Sequence, residues 1–138
     1  MERVRPAAVA GSFYPASADE VKKTLEECFV SSPLGPRGLR ARSPALLGGM
    51  VPHAGYVYSG PCAAHFYAAV ESDVRRVVLL GVNHRGLGAR AALSAAERWQ
   101  TPLGEVAIDR ELAEILATQV RFLEKDDRAH RQEHSIEV

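Results

Sequence analysis

The sequence predicts an α/β protein built on a largely parallel sheet, and three observations carry that prediction. Residues 45–51 and 76–81 are short, continuous apolar runs with no polar face, the pattern of strands buried on both sides. A stretch with helical character separates them, so the order strand, helix, strand suggests a βαβ unit with a right-handed crossover. The chain has 138 residues, 46% hydrophobic and 25% charged, which suits one globular domain able to bury a sizeable core.

The opening, through Pro15, is irregular, with Pro and Gly punctuating a few apolar residues. Ser17-Ala18-Asp19-Glu20 reads as a capping box, in which Ser17 accepts from the first helical turn and Glu20 reaches back. Val21, Leu25, Cys28 and Phe29 then share one face, predicting a helix over 18–29. Residues 31–44 hold three Pro, two Gly and three Arg without a period and form a surface loop. After the first apolar run comes a loop of Pro, His, Gly and Tyr. A helix is expected from Gly60-Pro61, where proline's missing N–H costs nothing, to about Val70. The second run ends in the loop Val82-Asn83-His84-Arg85-Gly86. Residues 91–108 read as strands around the turn Thr101-Pro102-Leu103-Gly104. Asp109 caps a helix with Leu112, Ile115 and Leu116 on one face. A polar stretch comes next, with His130 expected at the surface.

Composition excludes several classes. Lys+Arg and Asp+Glu are 17 each, so no net basic charge exists to displace counterions from nucleic-acid phosphates. No run approaches the roughly 20 apolar residues of a membrane span, and no signal-peptide pattern opens the chain. Cys28 and Cys62 are too few for a disulfide scaffold and lack metal-knuckle spacing. A reducing cytoplasm is the expected compartment.

The chemistry-bearing residues cluster at the ends of the two apolar runs. Pro52-His53-Ala54-Gly55-Tyr56-Val57-Tyr58-Ser59-Gly60 comes after the first, and Gly81-Val82-Asn83-His84 after the second. In open α/β sheets the ligand crevice lies beyond the carboxyl ends of strands, so His53 and His84 could converge on one metal ion. Tyr56 and Tyr58 could offer hydroxyls to a ligand. The plainer alternative is two hydrogen-bonded loop histidines, and pattern alone leaves both open. His134 sits between Glu133 and Glu137, which would raise its basicity or fix its tautomer; a solvated helix start is the alternative. Cys62 and His65 share a helical face as a nucleophile pair would, although nothing nearby activates the thiol.

Taken together, these strings resemble the Memo family, also called AmmeMemoRadiSam system protein B. The blocks are Arg5-Pro6-Ala7 with Gly11-Ser12-Phe13-Tyr14-Pro15, then 52–60, then Leu80 to His84. Thr101 to Gly104 with Ile108-Asp109, and Glu133-His134-Ser135-Ile136-Glu137, complete the set. The resemblance implies a fold like the class III extradiol dioxygenases: a central mixed, largely parallel sheet flanked by helices, with a metal-type pocket at one end. It implies that His53 and His84 are metal ligands and that His134 handles a proton; Tyr56 and Tyr58, read from their place in the same loop, are the expected substrate-binding residues. A divalent transition metal, Fe, Cu or Zn, would be the cofactor. A non-enzymatic module using the same pocket for a peptide or small-molecule ligand is the alternative function. Family members are about twice as long, so residues 1–138 correspond to the N-terminal portion of one domain. The expected partner is the missing C-terminal half or another copy of the chain.

Overall fold

The structure is a computed structural model that describes residues 3–38, 43 and 45–138. Part of the 31–44 loop therefore lies outside the described residues. The chain packs as two compact units, one of Gly11–Leu79 with Val138, the other of Met1–Ala10 with Leu80–Glu137.

The first unit is helical. Helix α1, Ala18–Glu26, is capped by Ser17, whose hydroxyl accepts from the Glu20 N–H at 3.3 Å. The Glu20 carboxylate reaches back as expected, but it takes the Ser17 hydroxyl at 2.7 Å rather than the backbone. The helix then widens into a π-helical segment, Glu27–Ser31, so the predicted helix over 18–29 is two kinds of turn in sequence. Val21 and Cys28 from the apolar face are buried. Burial pushes the Cys28 thiol above its ordinary pKa, and the Glu27 carboxylate adds to the shift. Cys28 is thus a core residue, as its position on the stripe implied.

Helix α2 spans Tyr56–Ala69, a full turn earlier than Pro61 suggested. Its start is set by a tertiary bond: the Tyr56 N–H donates to the Phe13 carbonyl at 2.8 Å. Proline here lies inside the helix, where it forgoes one backbone bond instead of marking the first turn. Ser59 and Ala64 are buried, and Gly60 lets α2 approach the π-helical segment, since a Cβ there would lie 2.6 Å from Cys28 Sγ.

The second unit carries the strands. Strand β1, Val4–Arg5, pairs in parallel with β3, Arg98–Thr101, and β3 pairs antiparallel with β4, Gly104–Ala107. Strand β2, Ala92–Leu93, pairs in parallel with β5, Glu124–Lys125. Pro102 and Leu103 form the expected turn of the β3–β4 hairpin. Thr101 Oγ1 accepts from the Leu103 N–H at 3.1 Å and donates to the Gly104 carbonyl at 2.8 Å. Gly104 takes φ +126°, a conformation open to glycine at little cost. Asp109 caps α3, Arg110–Gln119, accepting from the Leu112 N–H at 3.0 Å, and a 3₁₀ turn, Asp127–Ala129, comes after β5.

The α/β class and the mixed sheets hold. The placement of the central strands does not. Neither 45–51 nor 76–81 forms a ladder among the described residues, and Leu47, Met50 and Leu80 stand almost entirely in solvent. A strand is stable only when its N–H and C=O groups find a neighbour, and these runs find none here. No described helix is long and apolar enough to cross a membrane.

Candidate functional site

The loop carrying His84 is fixed upstream by a side chain that imitates a strand. The Ser135 hydroxyl accepts from the Val82 N–H at 3.0 Å and donates to the Val82 carbonyl at 2.9 Å. Gly81 permits this approach, because a Cβ there would fall 2.5 Å from Ser135 Oγ and 2.6 Å from Ile136. The segments 80–84 and 133–137, which the sequence separates widely, therefore dock directly.

Glu133 organises the histidines around itself. Its carboxylate is buried and accepts from the His84 N–H at 2.7 Å, the His134 N–H at 2.9 Å and the Ser135 N–H at 3.0 Å. It also meets His84 Nδ1 at 2.8 Å. Burial alone would raise its pKa. The His84 ring and the backbone N–H groups of Ser135, His84 and His134 outweigh that and bring it down to about 2. An ionised carboxylate at Nδ1 holds the proton on that nitrogen and makes Nε2 the lone-pair atom of His84. The His84 and His134 rings stack, with centroids 4.6 Å apart and planes 16° from parallel.

Glu133 therefore serves His84 more closely than His134, whose Nδ1 lies 3.4 Å from the same oxygen. Glu137, expected as the second carboxylate beside His134, turns to Arg5 instead. It also accepts from the backbone N–H groups of Ala8 and Val9. Arg5 itself lies 4.2 Å from the centre of the Trp99 ring, a cation–π distance. His130 is buried, which corrects the expectation of a surface residue. Its ring meets Trp99 edge-on at 5.7 Å. Sequence reasoning offers Glu133 as a partner of His134 but misses its bond to His84 and the burial of Arg5 and His130, because these rest on contacts between distant segments; only the pairing of β1 with β3 brings Arg5 to Trp99.

The other candidates lie in the helical unit. His53 is half-buried in the turn before α2, where the Ala54 carbonyl accepts from the Ser59 hydroxyl at 3.0 Å. Tyr56 opens the helix with its ring 5.5 Å from that of Tyr14, and Tyr58 is exposed two residues further along the same helix. His65 uses its ring Nε2 on the Leu34 carbonyl at 3.1 Å, while Cys62 is exposed.

A stacked imidazole pair with a carboxylate behind one ring is the donor chemistry of a borderline divalent ion. The carboxylate orients the ring and raises its basicity, as in carboxylate–histidine–metal arrangements. The donors present fit such an ion.

A family model described as Memo-like protein matches residues 5–138. Among curated relatives, a MEMO1 family protein of Ignicoccus hospitalis is 45% identical over 98% of this chain and 49% of its own length. One from Sulfurisphaera tokodaii is 44% identical over 98% of this chain and 50% of its own. One from Methanosarcina barkeri is 46% identical over 98% and 47% respectively. The chain spans about half the length of these relatives.

Proposed function

Because the chain belongs to the Memo-like protein family, we propose that it binds a divalent first-row transition ion, iron, copper or zinc, through histidine. His53, His84 and His134 each have one ring nitrogen to offer, a donor set that could hold a metal ion. The observation that carries the reading is the Glu133 carboxylate on His84 Nδ1, with His134 stacked on the same ring. A carboxylate on Nδ1 gives a ligand histidine both orientation and basicity.

In this reading His53 and His84 are the ligand pair, and His134 takes a proton from the substrate. Tyr56 and Tyr58 supply hydroxyls that orient a small molecule, and the substrate class is a hydroxylated aromatic of the kind extradiol dioxygenases open. When bound, the ion supplies a Lewis acid that polarises substrate oxygen. Glu133 keeps His84 in one tautomer throughout, so no proton moves on the ligand ring. The macromolecular partner is a polypeptide equivalent to the other half of the relatives, or a second copy of the chain.

The test is a calorimetric titration of the whole chain with Zn²⁺ and, anaerobically, Fe²⁺. His53→Ala and His84→Ala should each weaken binding by at least about 10-fold. His65→Ala, whose ring holds the Leu34 carbonyl instead, should leave it unchanged. Equal binding by all three variants would remove the ligand assignment.

A further inference from the structure

Arg5 grips the histidine-bearing segment at three points along its length. Its Nε and Nη2 donate to the His130 carbonyl at 3.0 and 2.8 Å, and Nη2 also donates to the Glu133 carbonyl at 2.7 Å. Its Nη1 pairs with the Glu137 carboxylate, and the two side chains are only 6% and 1% exposed. One planar guanidinium thus fixes the backbone at His130 and Glu133, ahead of His134, and the Glu137 side chain beyond it. Lysine, a point charge without the fork, cannot reproduce that geometry. The guanidinium is itself held against Trp99, and its own strand is paired to β3 by Arg5↔Trp99.

Glu133 is the junction. Its carbonyl is taken by Arg5 and its carboxylate by His84 Nδ1 and three backbone N–H groups. Displacing the carbonyl displaces the carboxylate, because both hang on one residue. We infer that Arg5 is a positioning residue for the His84–His134 pair, acting through the Glu133 backbone to hold the His84 ring in its Nδ1–H tautomer. This rests on the metal-binding reading only for its consequence on affinity; the tautomer is set by the hydrogen bonds alone.

The experiment compares Arg5→Lys and the milder Glu137→Gln with the unaltered chain, using two readouts. Long-range ¹H–¹⁵N spectra of ring-labelled histidine report the tautomer of His84, and Co²⁺ titration reports the site as a ligand. The unaltered chain should show the proton on Nδ1. Arg5→Lys should give a mixture of tautomers and weaken Co²⁺ binding about 10-fold, with Glu137→Gln intermediate because the carbonyl contacts remain. Asp109→Ala, which removes a helix cap in the same unit, should lower the melting temperature and move neither readout. If Arg5→Lys and Glu137→Gln melt lower but keep the Nδ1–H signature, Arg5 is structural only and the inference falls. If the unaltered chain takes no Co²⁺ while the tautomers respond as expected, the metal reading fails and the positioning role stands.

Discussion

His130 shows how a single buried ring sets a pH limit on the fold. Burial against Trp99 lowers its pKa from the ordinary value of 6.5, and the Arg5 guanidinium pushes the same way. A bond with the Ala92 backbone and the carboxylates of Asp127 and Asp126 oppose the shift without cancelling it. The neutral ring is therefore favoured in the folded state. The unfolded chain binds the extra proton first as pH falls, so the contribution is complete above pH 6.5 and is lost progressively below it. The melting temperature should decline as pH drops from about 7 through 6.5 and below, and His130→Phe should flatten that limb. An identical slope in the variant would place the titration elsewhere. The ring Nε2 has no hydrogen-bond partner among the described residues, so an apolar ring forfeits only the bond with the Ala92 backbone.

At the scale of the element, α2 meets the π-helical segment through glycine. An alanine at Gly60 would place its Cβ 2.6 Å from Cys28 Sγ, whereas one at Gly35 would lie 2.0 Å from the Cys28 backbone carbonyl. The two obstacles differ in kind: one is a side chain, the other is chain. Gly60→Ala should cost about 1–3 kcal/mol as an overpacked contact, and Cys28→Ala should recover part of that loss. Gly35→Ala should not be rescued by the same change. Urea denaturation of the single and double variants gives the coupling, and full additivity would refute the contact. Such close approaches are invisible in the sequence, which does disclose the Ser17 and Asp109 caps and the Thr101–Gly104 turn. Caps and turns are made by partners within a few residues, so local chemistry suffices. The start of α2 departs from the sequence expectation because a bond from Tyr56 to Phe13 outweighs the usual meaning of proline.

For the whole molecule, the telling residues are apolar and wet. Leu47, Met50 and Leu80 are each more than nine-tenths exposed, and Val77, Val78 and Leu79 more than half. The sequence marks these runs as interior strands, and their composition still argues for burial. What it cannot supply is the neighbour that makes an apolar run a strand. Contiguous exposed apolar surface drives association, and unpaired extended backbone offers a template for it. The isolated chain should scatter light increasingly with concentration, and Leu47→Lys with Leu80→Lys should suppress this. Adding the complementary half of a relative should yield a monodisperse species. A monomer that stays compact at all concentrations, with one sharp melt, would show that these runs need no cover. The proposed ligands and their supporting residues divide along the same line. His53, His84 and His134 stand out from local motifs, while the bond of Glu133 to His84 and the grip of Arg5 on His130 and Glu133 join segments far apart in the chain.

The Ser135–Val82 pair has a consequence in time. Val82 lies outside any strand, yet its amide proton is held by a hydroxyl whose own proton returns to the Val82 carbonyl. Both bonds break together when one side-chain torsion turns. The exchange of that amide with deuterated solvent is therefore a clock for the grip of the Ser135 hydroxyl, slowed while the hydroxyl is seated and released whenever its torsion turns or the segment lifts.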